Sequence, residues 1–204
     1  MSDDHYFSAD PTAPFAREEF EAEMWGHRLR LTSGAGVFSK GHLDHATAVL
    51  FRETEPPAQG QFLDVGCGYG VIGLAIAAAV PLANVTATDV NQRALLLANE
   101  NARALGLDGR FVACTPEQVP SDATYDEIWS NPPIRIGKDA LHGLLIAWLP
   151  RLRPEGRAVM VVGKHLGADS LQRWLTDQGW PTTRLASAKG FRVLETRRVP
   201  ENPL

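Results

Sequence analysis

From Gln61 onward, short apolar runs alternate with longer stretches of helical composition, and this alternation limits the fold more than any other feature of the chain. Phe62-Leu63-Asp64-Val65 reads as a strand, Val71 to Ala79 as a helix, Val85 to Val90 as a strand, and Gln92 to Leu105 as a helix stopped by Gly106. In that second helix Leu95, Ala98, Ala102 and Leu105 recur three or four apart and form one buried stripe. Phe111-Val112-Ala113 and Glu127-Ile128-Trp129 follow as strands, then Ala140 to Leu149 as a helix, Arg157 to Val162 as a strand and Leu171 to Asp177 as a helix. Two last strands run near Thr182 to Ala188 and Phe191 to Arg197, joined as a hairpin through Lys189-Gly190. Parallel strands need crossovers, which are right-handed and lay helices on both faces. The expectation is an α/β, Rossmann-like fold: a seven-stranded, mainly parallel sheet with one antiparallel strand brought in by the closing hairpin.

Residues 1–60 form a lead-in and 61–204 the core, separated by the loop-like stretch Glu53 to Gly60, and together they make one structural domain. In the lead-in, Trp25 to Leu31 and Val37-Phe38 flank the turn-rich Thr32-Ser33-Gly34-Ala35-Gly36, which predicts a hairpin there, followed by an amphipathic stretch from about His42 to Phe51. With 204 residues and 44% hydrophobic content the chain can bury a sizeable core. Cys67 and Cys114 have no zinc-like spacing around them, so reduced thiols, a cytoplasmic location and no metal are expected. The longest apolar stretch, Val71 to Ala83, is too short to span a bilayer and contains Gly73 and Pro81. The acidic N-terminus does not read as a secretory leader.

The first core strand ends in Asp64-Val65-Gly66-Cys67-Gly68-Tyr69-Gly70, the place where an open parallel sheet holds its ligand. Glycines there let a ligand approach the backbone, and the following helix offers free N–H groups. A literal G-x-G-x-x-G is met by Gly68, Gly70 and Gly73, with Asp89 about 20 residues on, as in dinucleotide binding. The acid ahead of the first glycine argues differently: Asp64 would repel a pyrophosphate but suits a ligand bearing an ammonium group, such as S-adenosylmethionine. Asp89, closing the second strand, is placed to accept from two ribose hydroxyls, a need both cofactors share.

After the fourth strand comes Ser130-Asn131-Pro132-Pro133-Ile134, on the same sheet edge. Two prolines remove two donors and stiffen the backbone, leaving an acceptor-rich segment. Asn131 Oδ1 and the Pro132 carbonyl suit the two N–H donors of an exocyclic amine or a side-chain amide. Gripping both aims the nitrogen lone pair at an electrophilic methyl and stabilises the charge that develops on transfer.

These residues resemble a class I S-adenosylmethionine-dependent methyltransferase of the methyltransferase small domain group, similar to the ribosomal RNA small-subunit guanine-N2 methyltransferases and their single-domain relatives. The resemblance runs through His5-Tyr6-Phe7-Ser8, Gly36-Val37-Phe38-Ser39-Lys40 with Asp44, the Asp64 glycine loop, Asp89, Asn131-Pro132-Pro133-Ile134 and Gly190-Phe191-Arg192-Val193-Leu194. It implies methionine-end binding by Asp64, Gly66 and Gly68, further cofactor contacts by Cys67 and Gly70, ribose binding by Asp89, adenine contact by Val90, and catalytic roles for Asn131, Pro132, Pro133 and Ile134, with Asn131 also a cofactor contact. Phe38 and Ser39 would face the substrate. Two positions depart from the pattern: Ile134 stands where many relatives carry an aromatic able to stack on a flipped base, and Cys114-Thr115-Pro116 replaces an acid near the adenine amino group, leaving Thr115 as its acceptor.

The implied substrate is guanine N2 of ribosomal RNA, naked or in an assembly intermediate, with adenine N6 next in line. Arg135, Lys138 and Arg192 are candidate phosphate contacts. The net charge of -4 averages an acidic N-terminus and a basic C-terminal end that carries Arg184, Lys189, Arg192, Arg197 and Arg198, so RNA contact should be local and salt-sensitive. A monomer is expected. Three alternatives stay open: a protein glutamine N5-methyltransferase, an NAD-dependent oxidoreductase, and a non-catalytic RNA-binding domain on the same fold.

Overall fold

The structure, a computed structural model, describes residues 16–37, 41–133 and 136–199. Its sheet contains seven strands: β3 (Gln61–Val65), β4 (Asn84–Thr88), β5 (Phe111–Cys114), β6 (Tyr125–Ser130), β7 (Leu152–Gly163), β8 (Thr182–Ala188) and β9 (Phe191–Arg197), in the order β5-β4-β3-β6-β7-β9-β8. All neighbours pair in parallel except β9, which is antiparallel to both β7 and β8. This is the expected mainly parallel sheet with its closing hairpin. Strand order reverses between β3 and β6, and their pairing ends at Asp64 and Trp129. Beyond that point the connections leave in opposite directions, and the crevice between them is where such a sheet binds ligands.

Helices α2 (Val71–Ala79) and α3 (Gln92–Ala104) cover one face, α4 (Lys138–Trp148) and α5 (Ala168–Asp177) the other. Residues Val71 to Ala77 of α2 are all buried, because this helix lies between the sheet and the lead-in. A Cβ on Gly73 would come within 2.8 Å of Phe111 and 2.9 Å of Val85, so this glycine sets how closely α2 approaches the sheet. On α3, Leu95, Ala98 and Ala102 are buried as the stripe predicts, and Ala94, Leu97 and Asn101 widen it. Asn99 receives Ala113 N–H and donates to Ala113 O, satisfying part of the edge strand β5.

The lead-in holds a two-stranded hairpin, β1 (Arg17–Met24) and β2 (His27–Gly34), and helix α1 (His45–Glu53). The sequence placed the turn at Thr32–Gly36; it lies at Trp25-Gly26, with Thr32, Ser33 and Gly34 in the second strand. Both turn residues have positive φ, 49° and 78°, as a tight two-residue hairpin turn requires. Packing accounts for a tryptophan in so unfavourable a conformation. Trp25 stands edge-on to Phe51 and to the fully buried Trp129, and its Nε1 donates to Thr54 O at 2.8 Å. Helix α1 extends the α2–α3 layer over β7 and β9, so the lead-in completes one face of the core.

Candidate active site

Three carboxyl-edge segments converge on a cavity of about 330 Å³: Gly66 to Tyr69 after β3, Asp89 to Asn91 after β4, and Asn131 to Pro133 after β6. The lead-in adds Val37, Asp44 and Thr47, and the far wall carries Leu166 and Phe191. The glycine loop is held from beneath: Gly66 N and Cys67 N donate to Thr88 O, and Gly68 N donates to Asp89 Oδ2 at 2.9 Å. Gly66 and Gly68 adopt φ of 73° and 54°, left-handed conformations that favour glycine. Gly70 also has positive φ, but its Cβ position faces Ala98, Leu74 and Phe111, so it serves packing and does not line the cavity. With Gly73 also packed against the sheet, only Gly68 of the literal dinucleotide motif faces the ligand space.

Asp64 lies under this loop, completely buried and off the cavity wall. Its Oδ2 accepts from Gly73 N in the first turn of α2 at 2.9 Å, while Oδ1 has no hydrogen-bond partner among the described residues. Burial raises its pKa to about 7, against the lowering effect of the Gly73 bond and with a smaller raising contribution from Asp89. Because the folded value lies above the unfolded one, the protonated group contributes stability that is present below about pH 4 and is lost as pH rises through about 7. Urea unfolding of the ligand-free protein should therefore show stability falling by a few kcal/mol across that window. In Asp64→Asn this share of the slope should vanish, and equal slopes for the two proteins would mean that Asp64 is ionised throughout.

Asp89 is half-buried on the wall, Oδ2 receiving Gly68 N and Oδ1 receiving Asn91 N, both at 2.9 Å. Burial pushes its pKa up, opposed by the bonds from Asn91, Gly68 and Val90. Val90 beside it is an exposed apolar side chain on the cavity wall, a suitable surface for an adenine ring. Thr115 is absent from the wall and Pro116, next in sequence, lines it; Gln118 Oε1 accepts from Thr115 N. Cys67 is among the residues around the cavity, and its buried thiol is pushed up in pKa by burial, then by the Asp89 and Asp64 charges, so it stays a neutral thiol.

Ser130 Oγ donates to Val65 O at 2.6 Å and ties the Asn-Pro-Pro segment to the end of β3. The Asn131 side chain reaches the lead-in: its Nδ2 donates to Asp44 Oδ2 at 2.9 Å and to Thr47 Oγ1 at 3.0 Å. Asn101 adds a second tie, donating to Thr32 O and Tyr69 O and accepting from Thr32 N. Asn91 adds a third, its Nδ2 donating to Gly36 O at 2.7 Å. Thr47 and the part played by Asp44 were not evident in the sequence, since Asp44 and Asn131 are 87 residues apart and neither sits in a motif that names the other. Of the basic candidates, Lys138 is exposed at the start of α4. Arg192 pairs with Asp169 at 3.3 Å and its side chain is 13% exposed, so the structure gives it a partner within the chain. Phe38, Ser39, Ile134 and Arg135 lie outside the described residues, as does His5-Tyr6-Phe7-Ser8. Among the described residues no helix is long and apolar enough to cross a membrane.

Comparison with known proteins fixes the lineage. The methyltransferase small domain pattern matches residues 28–195, from the second hairpin strand through most of β9. The chain belongs to the methyltransferase small domain family. Within it, the chain is 31% identical over 199 residues to YbxB of Bacillus subtilis, an uncharacterized protein, covering 96% of this chain and 99% of that one. It is 36% identical over 200 residues to ribosomal RNA small subunit methyltransferase C of Pseudomonas entomophila, covering 96% of this chain and 58% of that enzyme. The chain thus spans nearly all of YbxB but little more than half of methyltransferase C. A solved 16S rRNA N2 G1207 methyltransferase of T. thermophilus, in complex with AdoMet and guanosine, superimposes with a TM-score of 0.77 at 24% identity, covering 93% of this chain and 52% of that one. That likeness is one of fold, and the fold is the expected class I methyltransferase sheet.

Proposed function

We propose that the chain transfers a methyl group from S-adenosylmethionine to the exocyclic amine of a base in RNA, with guanine N2 of small-subunit ribosomal RNA, naked or in an assembly intermediate, as the substrate. One observation carries this reading: Asn131-Pro132-Pro133, Asp89 and the glycine loop Gly66 to Tyr69 face one cavity at the switch point of the sheet. The names of the methyltransferase C relatives support the choice of substrate.

The residues present fit the cofactor. Among the described residues Asp64 Oδ1 and Thr88 Oγ1 are buried without hydrogen-bond partners near the ends of β3 and β4; Thr88 lines the cavity and Asp64 lies behind it under the loop, which puts acceptor oxygens close to the loop. A buried carboxylate there favours an ammonium group lying on Gly66 to Gly68, and that cation would in turn favour the ionised form of Asp64. Asp89 would take the ribose hydroxyls on its remaining lone pairs, with Val90 against the adenine. When bound, S-adenosylmethionine supplies an electrophilic methyl on a sulfonium.

Asn131 Oδ1 and the Pro132 carbonyl accept the two N–H groups of the target amine, turning its lone pair toward the methyl. A nitrogen–carbon bond forms as the carbon–sulfur bond breaks. The two acceptors offset the positive charge that grows on nitrogen, and the proton then leaves to water from a nitrogen made acidic by alkylation. A base in a helix must be unstacked to reach this cavity.

The test is transfer of tritiated methyl to an unmodified small-subunit rRNA transcript and to the assembled subunit, followed by nucleoside mass spectrometry. N2-methylguanosine is the expected product. Label released by protease but not by nuclease would replace this reading with glutamine methylation, and cofactor binding without transfer to either RNA form would favour a binding domain.

A further inference from the structure

We infer that Asp44 is a positioning residue for methyl transfer, holding the Asn131 amide in the one orientation that presents its oxygen to the target amine. The inference rests on the role proposed above for Asn131 and adds what sets that side chain's geometry. An asparagine amide has two N–H donors and one acceptor oxygen, and its two ends are nearly isosteric. Turned the wrong way, Asn131 would offer donors to an amine that itself has donors to give. Something must break the near-symmetry.

The lead-in supplies the asymmetry. Asp44 Oδ2 stands 2.9 Å and Thr47 Oγ1 3.0 Å from Asn131 Nδ2, so each N–H has an acceptor. The Thr47 hydroxyl lies 3.4 Å from Asp44 Oδ2 as a donor to it, which leaves the Thr47 lone pairs for Asn131. A flipped amide would bring its oxygen against a carboxylate oxygen at the distance of a hydrogen bond, a repulsive contact. Asn131 Oδ1 is therefore the atom left to face the cavity that Asn131 and Asp44 both line. The carboxylate also polarises the amide it holds, making Oδ1 a better acceptor as positive charge develops.

Asp44 has a second duty that the test must separate from the first. It is the N-cap of α1, accepting from Thr47 N at 3.0 Å. Serine caps a helix about as well as aspartate, yet its shorter side chain falls short of Asn131; asparagine caps equally well and still carries an acceptor oxygen at full reach. Asp44→Ser should keep the melting temperature within a few degrees and the S-adenosylmethionine Kd within about twofold, while kcat on the rRNA transcript falls at least tenfold. Asp44→Asn should recover kcat to within about threefold of the native value. Thr47→Val, which keeps both shape and cap, should lower kcat several-fold with no change in Kd, and it stands in for Asp44→Ser should that variant fail to fold.

Three results would overturn the assignment. A native kcat in Asp44→Ser beside an inactive Asn131→Ala removes Asp44 alone from the mechanism. Equal losses in Asp44→Ser and Asp44→Asn mean that the effect is not hydrogen-bond positioning. A fully active Asn131→Ala fails at the earlier step and takes the whole reading of the Asn-Pro-Pro segment with it.

Discussion

Asn131→Ala should cut kcat for methyl transfer by about 10² to 10³ while leaving the S-adenosylmethionine Kd within about threefold, since removing one preorganised dipole aimed at developing charge has that order of effect. The side chain is well placed to carry so large a share. It is fixed at Nδ2 by two acceptors, backed by prolines that cannot swing, and anchored one residue earlier by the 2.6 Å bond from Ser130 to Val65 O. Little reorganisation is needed when the amine arrives. The bonds that the Asn131 side chain makes go to Asp44 and Thr47 and not to the glycine loop, which is why cofactor binding should be spared. Single-turnover transfer to the rRNA transcript, with calorimetry for the cofactor, separates the two quantities. A loss confined to KM would mean that Asn131 binds amine and transition state equally and so does not favour the transfer step itself.

Such a variant isolates a group whose type was plain in the sequence and whose support was not. The alternation from Gln61 onward located every core strand and α-helix among the described residues because period and length agree within each segment; α2, β8 and β9 fall on the expected residues, whereas β7 begins at Leu152, ahead of the expected Arg157, and the short 3-10 turns of helix carry no such period. The lead-in hairpin was misplaced for a physical reason: Trp25 sits at φ 49°, outside the usual vocabulary of turn residues, and is held there by contacts with Phe51 and Trp129 that only the folded core provides. Within the glycine loop, sequence spacing marks a ligand-binding turn but cannot say which glycine faces the ligand and which faces Phe111. Thr115 and Pro116 differ by one position, below the resolution of strand-end reading. Arg192 shows the same limit for charge, since its pairing with Asp169 spans 23 residues that no pattern links.

The second large effect concerns binding instead of chemistry. Asp89→Ala should weaken S-adenosylmethionine binding by about 100-fold, because two hydrogen bonds to a charged acceptor are each worth at least about 1.5 kcal/mol and each 1.4 kcal/mol is tenfold in Kd. The carboxylate acts twice over. It holds the loop in shape through Gly68 N and Asn91 N, and it lines the cavity, where on the proposed function its remaining lone pairs would take the ribose hydroxyls. A melting temperature measured beside the Kd separates loss of fold from loss of contact, because Gly68 borders the cavity whereas Asn91 is buried. Asp89→Asn separates the two duties. Its oxygen can still accept from Gly68 N, but its NH₂ then meets Asn91 N–H donor to donor, so the loop is half-held and one ribose acceptor becomes a donor. An intermediate loss of about tenfold is expected for it, with the same order for S-adenosylhomocysteine, which shares the ribose. If calorimetry finds Asp89→Ala binding within threefold of the native protein, the ribose is held elsewhere. Should both variants lose 100-fold alike, shape of the loop and not contact with the ribose is what Asp89 contributes.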